Sequence, residues 1–382
     1  MLSPVTFHMA AKYTVDEMKL DDKTRTFLYK TWGCARKVYN LYVDWYYSEL
    51  EKSGYQSGDN IPKLKIPEVT AFKKQEAFSY LKEVDSLALA NVKINFTDAV
   101  KRYEDKSDHT TYTKRALRRN ESGTEKLTFR GLKGMPKFHS KAAGCFSYTT
   151  NNQLKSDSNK LKNDTIRFEG NVLHLPKMDK GLPLLMHRPM PEDAVIGNVT
   201  VAKGGDNQIY VSIEYSYTKA IEMDIRNAAS NDDRTILDNL TFLGLDYSQE
   251  DFYVDSEGRK ANYPHYYRES EEKLARMQKK LSRMDKDSSN YKKQLAKIRK
   301  LHTRIANQRK DFLQKLSTKL VDEFDVIVVE DIDLRAMGAS LKLGKNLHDN
   351  GFGMFREMLA YKLERKGSFL INGVFAESVE CR

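Results

Sequence analysis

The sequence predicts an α+β protein of several domains: a mainly helical segment, a small antiparallel barrel or curled sheet, and an α/β unit carrying a long helical hairpin. Three observations predict it. Apolar residues recur at three- and four-residue steps across residues 24–103. The rhythm changes to two between residues 137 and 217. Val326-Ile-Val-Val329 is a continuous β-branched run, which suits a strand buried on both faces.

Taken in order, residues 5–13 predict a short strand. Residues 24–50 predict a helix from the spacing of Phe27, Leu28, Val38, Leu41 and Val43. Residues 81–103 predict a second, with Leu87, Ala90, Ile94 and Val100 on its apolar stripe. A loop rich in Gly, Pro and Lys, residues 54–67, separates them. The first helix carries Tyr29, Trp32, Tyr39, Tyr42, Trp45 and Tyr46. Core packing is the plain reading of these rings, and base stacking by one or two of them is the sharper one.

Ile166-Arg-Phe168, Val172-Leu-His-Leu175 and Gln208-Ile-Tyr-Val-Ser-Ile213 read as strands, turned at Glu169-Gly-Asn171 and Gly204-Gly-Asp-Asn207. Residues 227–234 have linker composition. Phe242-Leu-Gly-Leu245 then predicts a strand ending at Asp246, with Phe252-Tyr-Val254 as its hairpin mate and Asp255-Ser-Glu-Gly258 as the turn. Leu274, Met277, Leu281 and Met284 face Tyr291, Leu295, Ile298, Ile305, Phe312 and Leu316 across a helical hairpin that turns at residues 285–290. The β-branched strand ends at Glu330, and a helix at 353–366 leads to a last strand, Phe369-Leu-Ile371.

The net charge of +11 and pI of about 9.2 point to a polyanionic partner. The charge is concentrated. Residues 268–322 hold 17 Lys+Arg against 7 Asp+Glu, and residues 101–141 hold 12 against 5. The remainder is net negative by 6 (11 − 10 − 7), so two patches supply the positive field. No stretch approaches the roughly 20 apolar residues of a membrane span, and no signal peptide is expected. Cys34, Cys145 and Cys381 are too few and too scattered for a disulfide framework or a zinc site. A cytoplasmic protein, at the nucleoid of a bacterium and without a membrane partner, is expected.

Asp246 and Glu330, each after a buried strand, are the candidate chemistry. Nucleases of the RNase H type hold two divalent ions with carboxylates at adjacent strand ends, and such oxygen ligands suit Mg²⁺. Two acids alone are a weak signal, because Asp and Glu at strand ends more often serve turns and caps.

A wider pattern resembles a family. Gly244-Leu-Asp-Tyr-Ser248, Val254-Asp-Ser-Glu-Gly258, Ala306-Asn-Gln-Arg-Lys-Asp-Phe-Leu313, Val328-Val-Glu-Asp331 and Asn350-Gly-Phe-Gly-Met-Phe355 are similar to the core of TnpB. TnpB is the RNA-guided nuclease (OrfB) of insertion sequences and the presumed ancestor of type V CRISPR effectors. Weaker likeness runs through Lys30-Thr-Trp-Gly-Cys34, Leu81-Lys-Glu-Val-Asp85, Gly134-Met-Pro-Lys-Phe138 and His187-Arg-Pro189. The resemblance implies a β-barrel wedge domain (1–20 and 135–226), an inserted helical recognition lobe (21–134), a linker (227–234) and a RuvC-like, RNase H-like domain (235–382) containing the hairpin. It implies that Asp246 and Glu330 hold the first two catalytic positions. It also implies that Thr150 and Asn151 match residues that read a short duplex motif beside the target. Ser86 and Ala90 stand where some members place Lys and Gln. On the hairpin, Arg276, Lys280, Arg283, Lys297, Arg304 and Arg309 are candidates for contacts to RNA or to an RNA–DNA duplex, although a charged hairpin face is more often plain solvated surface. The basic segment Lys114-Arg-Ala-Leu-Arg-Arg119 is read equally as a disordered loop.

The departure comes at the end. Where the family has Pro-Ser-Ser-Lys-x-Cys opening a four-cysteine zinc ribbon, followed by a third catalytic Asp, this sequence has Phe375-Ala-Glu-Ser-Val-Glu-Cys381. The expectation is a RuvC-like domain truncated at its C-terminus, without the zinc ribbon, with Cys381 a lone remnant and no metal held there. Of the nearby acids, Asp331, Asp333 and Asp349, the last matches a family Asp of structural type. The resemblance is therefore strongest to the nuclease-dead repressors, TldR. These bind a guide RNA and double-stranded target DNA and block a promoter by occupancy, one protein per RNA, needing no cofactor; Mg²⁺ would enter only at a residual site. Two alternatives stand beside it: an active Mg²⁺-dependent endonuclease represented by a shortened copy, and an RNA-binding or architectural protein with no DNA target.

Overall fold

The computed structural model describes residues 3–141, 144, 146–153, 165–221, 225–231, 233–332 and 351–373. The chain divides into two compact units: His8–Tyr217, and Thr218–Arg382 with Met1–Phe7.

The first unit joins helices to a curled sheet. Helix α1 (Asp22–Lys52) starts where Asp21 accepts the Thr24 N–H at 2.8 Å. It buries Leu28, Trp32, Ala35, Val38, Tyr42, Tyr46 and Leu50, one stripe at three- and four-residue steps. A short α2 (Val69–Lys73) and a 3₁₀ turn (Glu76–Lys82) precede α3 (Ser86–Glu104). The second helix thus begins at Ser86 rather than 81, because the buried Asp85 caps it through the Leu87 N–H at 3.0 Å. Its buried face also differs from the predicted one. Ala88, Leu89, Val92, Phe96, Val100 and Tyr103 point inward, while Ala90 is exposed and Ile94 is 54% exposed. Both stripes satisfy helical spacing. The large rings decide between them, because Phe96 packs against Tyr39, Tyr42 and Tyr46 of α1 at centroid distances of 5.7, 5.2 and 6.0 Å. Trp32, Tyr42 and Tyr46 are fully buried, and the Trp32 Nε1–H donates to the Val201 carbonyl at 3.0 Å. The basic segment forms a short exposed helix, α4 (Lys114–Glu121), capped by Thr113.

Seven strands make the sheet: β1 (Ser3–Val15), β2 (Ser147–Asn151), β3 (Arg167–Glu169), β4 (Val172–His174), β5 (Leu182–Leu185), β6 (Val195–Lys203) and β7 (Ile209–Ile221). Their order is β2-β6-β7-β1-β5-β4-β3. The two edge strands are tied together, since Asn152 after β2 accepts from the Ile166 N–H just before β3 at 3.1 Å. The sheet is therefore curled almost into a barrel. Gly170 (φ +58°) turns β3 into β4 in the left-handed region that glycine tolerates.

In the other unit, residues 227–234 are partly helical instead of a plain linker. They include the end of α5 (Ile225–Ser230) and the cap of α6 (Arg234–Leu237), where Asp233 accepts the Thr235 N–H at 3.1 Å. Asn, Ser and Asp suit helix caps as well as linkers, and composition does not separate the two. Strands β8 (Phe242–Ser248), β9 (Phe252–Asp255), β10 (Val326–Glu330) and β11 (Leu370–Gly373) form a mixed sheet in the order β11-β10-β8-β9. β10 runs parallel to β8 and β11, and β9 is antiparallel to β8. Between β9 and β10 run α7 (Tyr266–Ser282) and α8 (Ser289–Glu323), and α9 (Phe352–Lys366) precedes β11. Leu243, Leu245, Ile327 and Val329 pack with Leu313 and Leu320 of α8 and Phe352, Phe355, Leu359 and Leu363 of α9.

Lysines fasten α9 to α8. Lys366 Nζ donates to the Val321 and Phe324 carbonyls, each at 3.1 Å, and pairs with Asp325 at 2.9 Å, which satisfies carbonyls at the C-terminus of α8. In the hairpin, Leu274, Ile298 and Ile305 are buried, while Met277, Leu281, Met284 and Leu295 are half-buried. Among the described residues no helix is long and apolar enough to cross a membrane.

Candidate functional site

The parallel register of β8 and β10 builds the carboxylate pair. Leu245 pairs with Val329, so the next residues, Asp246 and Glu330, fall side by side. Parallel partners in register share a face, and this face is opposite the buried Leu245 and Val329. Asp246 is inside β8 rather than at its end, because β9 continues the pairing to Ser248. The ladder with β10 nevertheless stops at Leu245.

The two carboxyl groups face the same side of the sheet, close enough to act on each other. Burial, then the neighbouring Asp246 carboxyl, raise Glu330 above the ordinary glutamate value, while the Tyr247 backbone N–H pulls it down. Asp331 lies beside Arg356 instead, 3.4 Å away, and Arg356 also donates to Asn372 at 2.8 Å. Among the described residues no three His, Cys, Asp or Glu side chains gather as a group that could hold a metal ion. Asp333, Asp349, Cys145 and the stretch ending in Cys381 lie outside the described residues.

The pair has a measurable consequence. The folded protein binds a proton at Glu330 more readily than the unfolded chain does. Its contribution to stability is complete below the unfolded pKa and is lost as pH rises through the raised folded one. Glu330→Gln mimics the protonated form. In metal-free buffer it should raise the melting temperature at pH 7.5 and leave it unchanged near pH 4. The gain should be well under the roughly 1.4 kcal/mol that one pKa unit represents, because Asp246 is exposed and solvent screens the pair. A lower melting temperature at pH 7.5 would contradict this reading.

The hairpin in the same unit is a second candidate surface. Residues 276–304 contain 11 Lys+Arg and 2 Asp+Glu. Arg276 and Lys280 on α7 and its C-cap Arg283 are all exposed and recur at i, i+4 and i+7; Lys297 and Arg304 do so at i and i+7 on α8. None of these five makes an ion pair among the described residues. Arg309 differs. It is half-buried, and its Cδ lies 3.0 Å from where a Cβ on Gly351 would fall, so its stem packs beside the start of α9.

The third candidate surface is where α3 meets β2. Ser86 and Ala90 are exposed on one face of α3, and Lys73 donates to Ser86 Oγ at 3.0 Å. Asn151 is half-buried and accepts from the Asn91 amide. Thr150 is fully buried and donates its hydroxyl to Asp85, so it does not present that hydroxyl at the surface. Beside them α1, α3 and β2 enclose a cleft of about 280 Å³ whose lining includes Arg36, Tyr39, Asn91, Asn95, His139 and Thr149. His139 stacks on Tyr39 at 3.9 Å, and burial with the nearby Arg36 charge lowers its pKa. A larger cleft, about 660 Å³ at the start of α1, mixes Asp21, Asp22 and Asp179 with Lys23, Lys30 and Lys177, and gathers none of the predicted residues. Asp85, Asn91 and Asn95 are not among the predicted site residues. An N-cap residue ahead of an apolar run was the available signal for Asp85.

Comparison with known proteins adds similarities. Residues 228–340 match the OrfB_IS605 family, described as a probable transposase. A "Putative RNA-guided DNA endonuclease" of Streptomyces pristinaespiralis is 26% identical over 355 residues, spanning 92% of this chain and 74% of that protein. A "Putative RNA-guided DNA endonuclease InsQ" of Escherichia coli (strain K12) is 30% identical over 192 residues, 46% of this chain and 44% of that protein. These matches support the TnpB/OrfB resemblance. Among solved structures, a Cas12f1–sgRNA–target DNA complex aligns with a TM-score of 0.45 and 10% identity, over 96% of this chain and 89% of that one.

Proposed function

We propose that this chain is an RNA-guided DNA-binding protein of the TnpB kind, and that it occupies its target without cutting it. In this reading base pairing supplies sequence specificity, and the protein contributes backbone contacts and the reading of a short flanking motif. A protein held on an opened duplex at a promoter blocks transcription, so the role is that of a repressor acting by occlusion. The observation that carries the binding half is the cluster of exposed basic residues on the hairpin, Arg276, Lys280, Arg283, Lys297 and Arg304, without an ion pair among the described residues, in the unit that contains the family match.

The silent half rests on the donor set. Asp246 and Glu330 suit a hard divalent ion, with water completing its shell, and would be the residues to hold it. Bound there, such an ion would supply charge neutralisation for an in-line displacement. Two adjacent carboxyl groups, with Asp331 drawn to Arg356, are a weak framework for the two-ion arrangement. The second reading, a Mg²⁺-dependent endonuclease, is favoured by the names of both relatives.

Sequencing the RNA that co-purifies with the protein tests the binding half. The expected RNA has a constant scaffold and a variable end, and exchanging that end should redirect DNA binding to a matching duplex. RNA without a guide segment, or DNA binding indifferent to the guide, would replace this reading with a plain RNA-binding or architectural protein.

A further inference from the structure

We propose that Asp85 and Thr150 form a buried clamp that positions α3 on β2 for DNA recognition, with Thr150 acting through Asp85 rather than by touching a base; this rests on the RNA-guided DNA binding proposed above. Asp85 is 4% exposed and Thr150 is fully buried. One carboxylate oxygen of Asp85 accepts the Leu87 N–H at 3.0 Å and caps α3. The other accepts the Thr150 hydroxyl from the penultimate residue of β2. A single side chain therefore fixes the start of a helix and its register against a strand.

The surrounding groups reinforce the same joint. Lys177 donates to the Lys82 and Val84 carbonyls at 2.6 and 3.1 Å, holding the segment just before the cap. It does so from a left-handed backbone (φ +60°), a conformation an ordinary side chain adopts only when its surroundings require it. One turn along α3, the Asn91 amide donates to both the Leu87 carbonyl and the Asn151 side chain. These bonds leave Ser86, Ala90 and Ile94 outward on α3, beside the half-buried Asn151. The groups able to meet a duplex are thus aimed by the groups that cannot.

A positioning role and a reading role differ in what they disturb. Loss of a base contact relaxes specificity at one position, whereas loss of alignment weakens binding across sequences. The experiment uses the RNA-loaded protein and guide-matched duplexes with a randomised flanking motif. Thr150→Val keeps the shape and removes the hydroxyl. Asp85→Asn keeps the cap but replaces the acceptor facing Thr150. Each should weaken target binding about tenfold, with an unchanged preferred motif and unchanged affinity for the RNA. The double variant should be no worse than the weaker-binding single, because both remove one coupling. Thr150→Ser should restore wild-type binding. A shift in preference at a single flanking position, losses that add, or unchanged affinity in Thr150→Val would overturn the clamp. Wild-type protein without guide-dependent binding would overturn the function beneath it instead, so the two failures are distinct.

Discussion

Replacing Arg283, Lys297 and Arg304 together by Gln should weaken nucleic-acid binding by about two orders of magnitude at 0.1 M salt, without lowering the melting temperature. Each phosphate contact contributes about 0.7–0.9 to the slope of log K against log salt, so three lost contacts remove roughly 2–3 units of slope. At 0.1 M salt a slope change of about 0.8 per contact corresponds to roughly sixfold each, or about 200-fold for three. The side chains are exposed and make no ion pair among the described residues, so removing them leaves no buried group unsatisfied. The loss should be equal for matched guides of any sequence, because backbone contacts carry no sequence information. Binding measured across a salt series checks this. An unchanged slope would mean that the hairpin is solvated surface.

Phe355→Ala should destabilise the unit built on β8–β11 by about 3–5 kcal/mol, the range for removing a buried aromatic side chain. Phe355 is fully buried and meets Phe252, Tyr253 and Phe352 at centroid distances of 5.2, 5.9 and 6.0 Å. Phe252 takes part in this cluster from a left-handed backbone conformation (φ +76°), so the packing also holds a strained residue in place. The neighbouring Met354 is 41% exposed, and Met354→Ala should change stability by less than about 1 kcal/mol. Urea titration of the two variants separates them. Equal losses would show that this cluster does not carry the unit.

The elements readable from the sequence are those whose signal is local. The β-branched run became the inner strand β10, the Asp255–Gly258 segment became a turn, and the hairpin helices turn at 283–288, close to the expected 285–290. Asp246 and Glu330 were identifiable by type, but their adjacency depends on the parallel register of strands separated by the whole hairpin. The buried face of α3 was misjudged because two stripes fit helical spacing, and only the rings of α1 choose between them. Thr150 was similarly opaque. Its partner Asp85 lies 65 residues away, and no local pattern distinguishes a hydroxyl that faces inward from one that faces a ligand.

Guide-directed binding without cleavage is tested most directly by mixing the RNA-loaded protein with an end-labelled matching duplex in magnesium buffer. Native and denaturing gels are then run from the same reaction. The predicted result is a guide-dependent shift in which both DNA strands remain full length. Nicked or broken strands that appear only with the matching guide and magnesium would contradict it, and would identify the Asp246–Glu330 pair as part of a working nuclease.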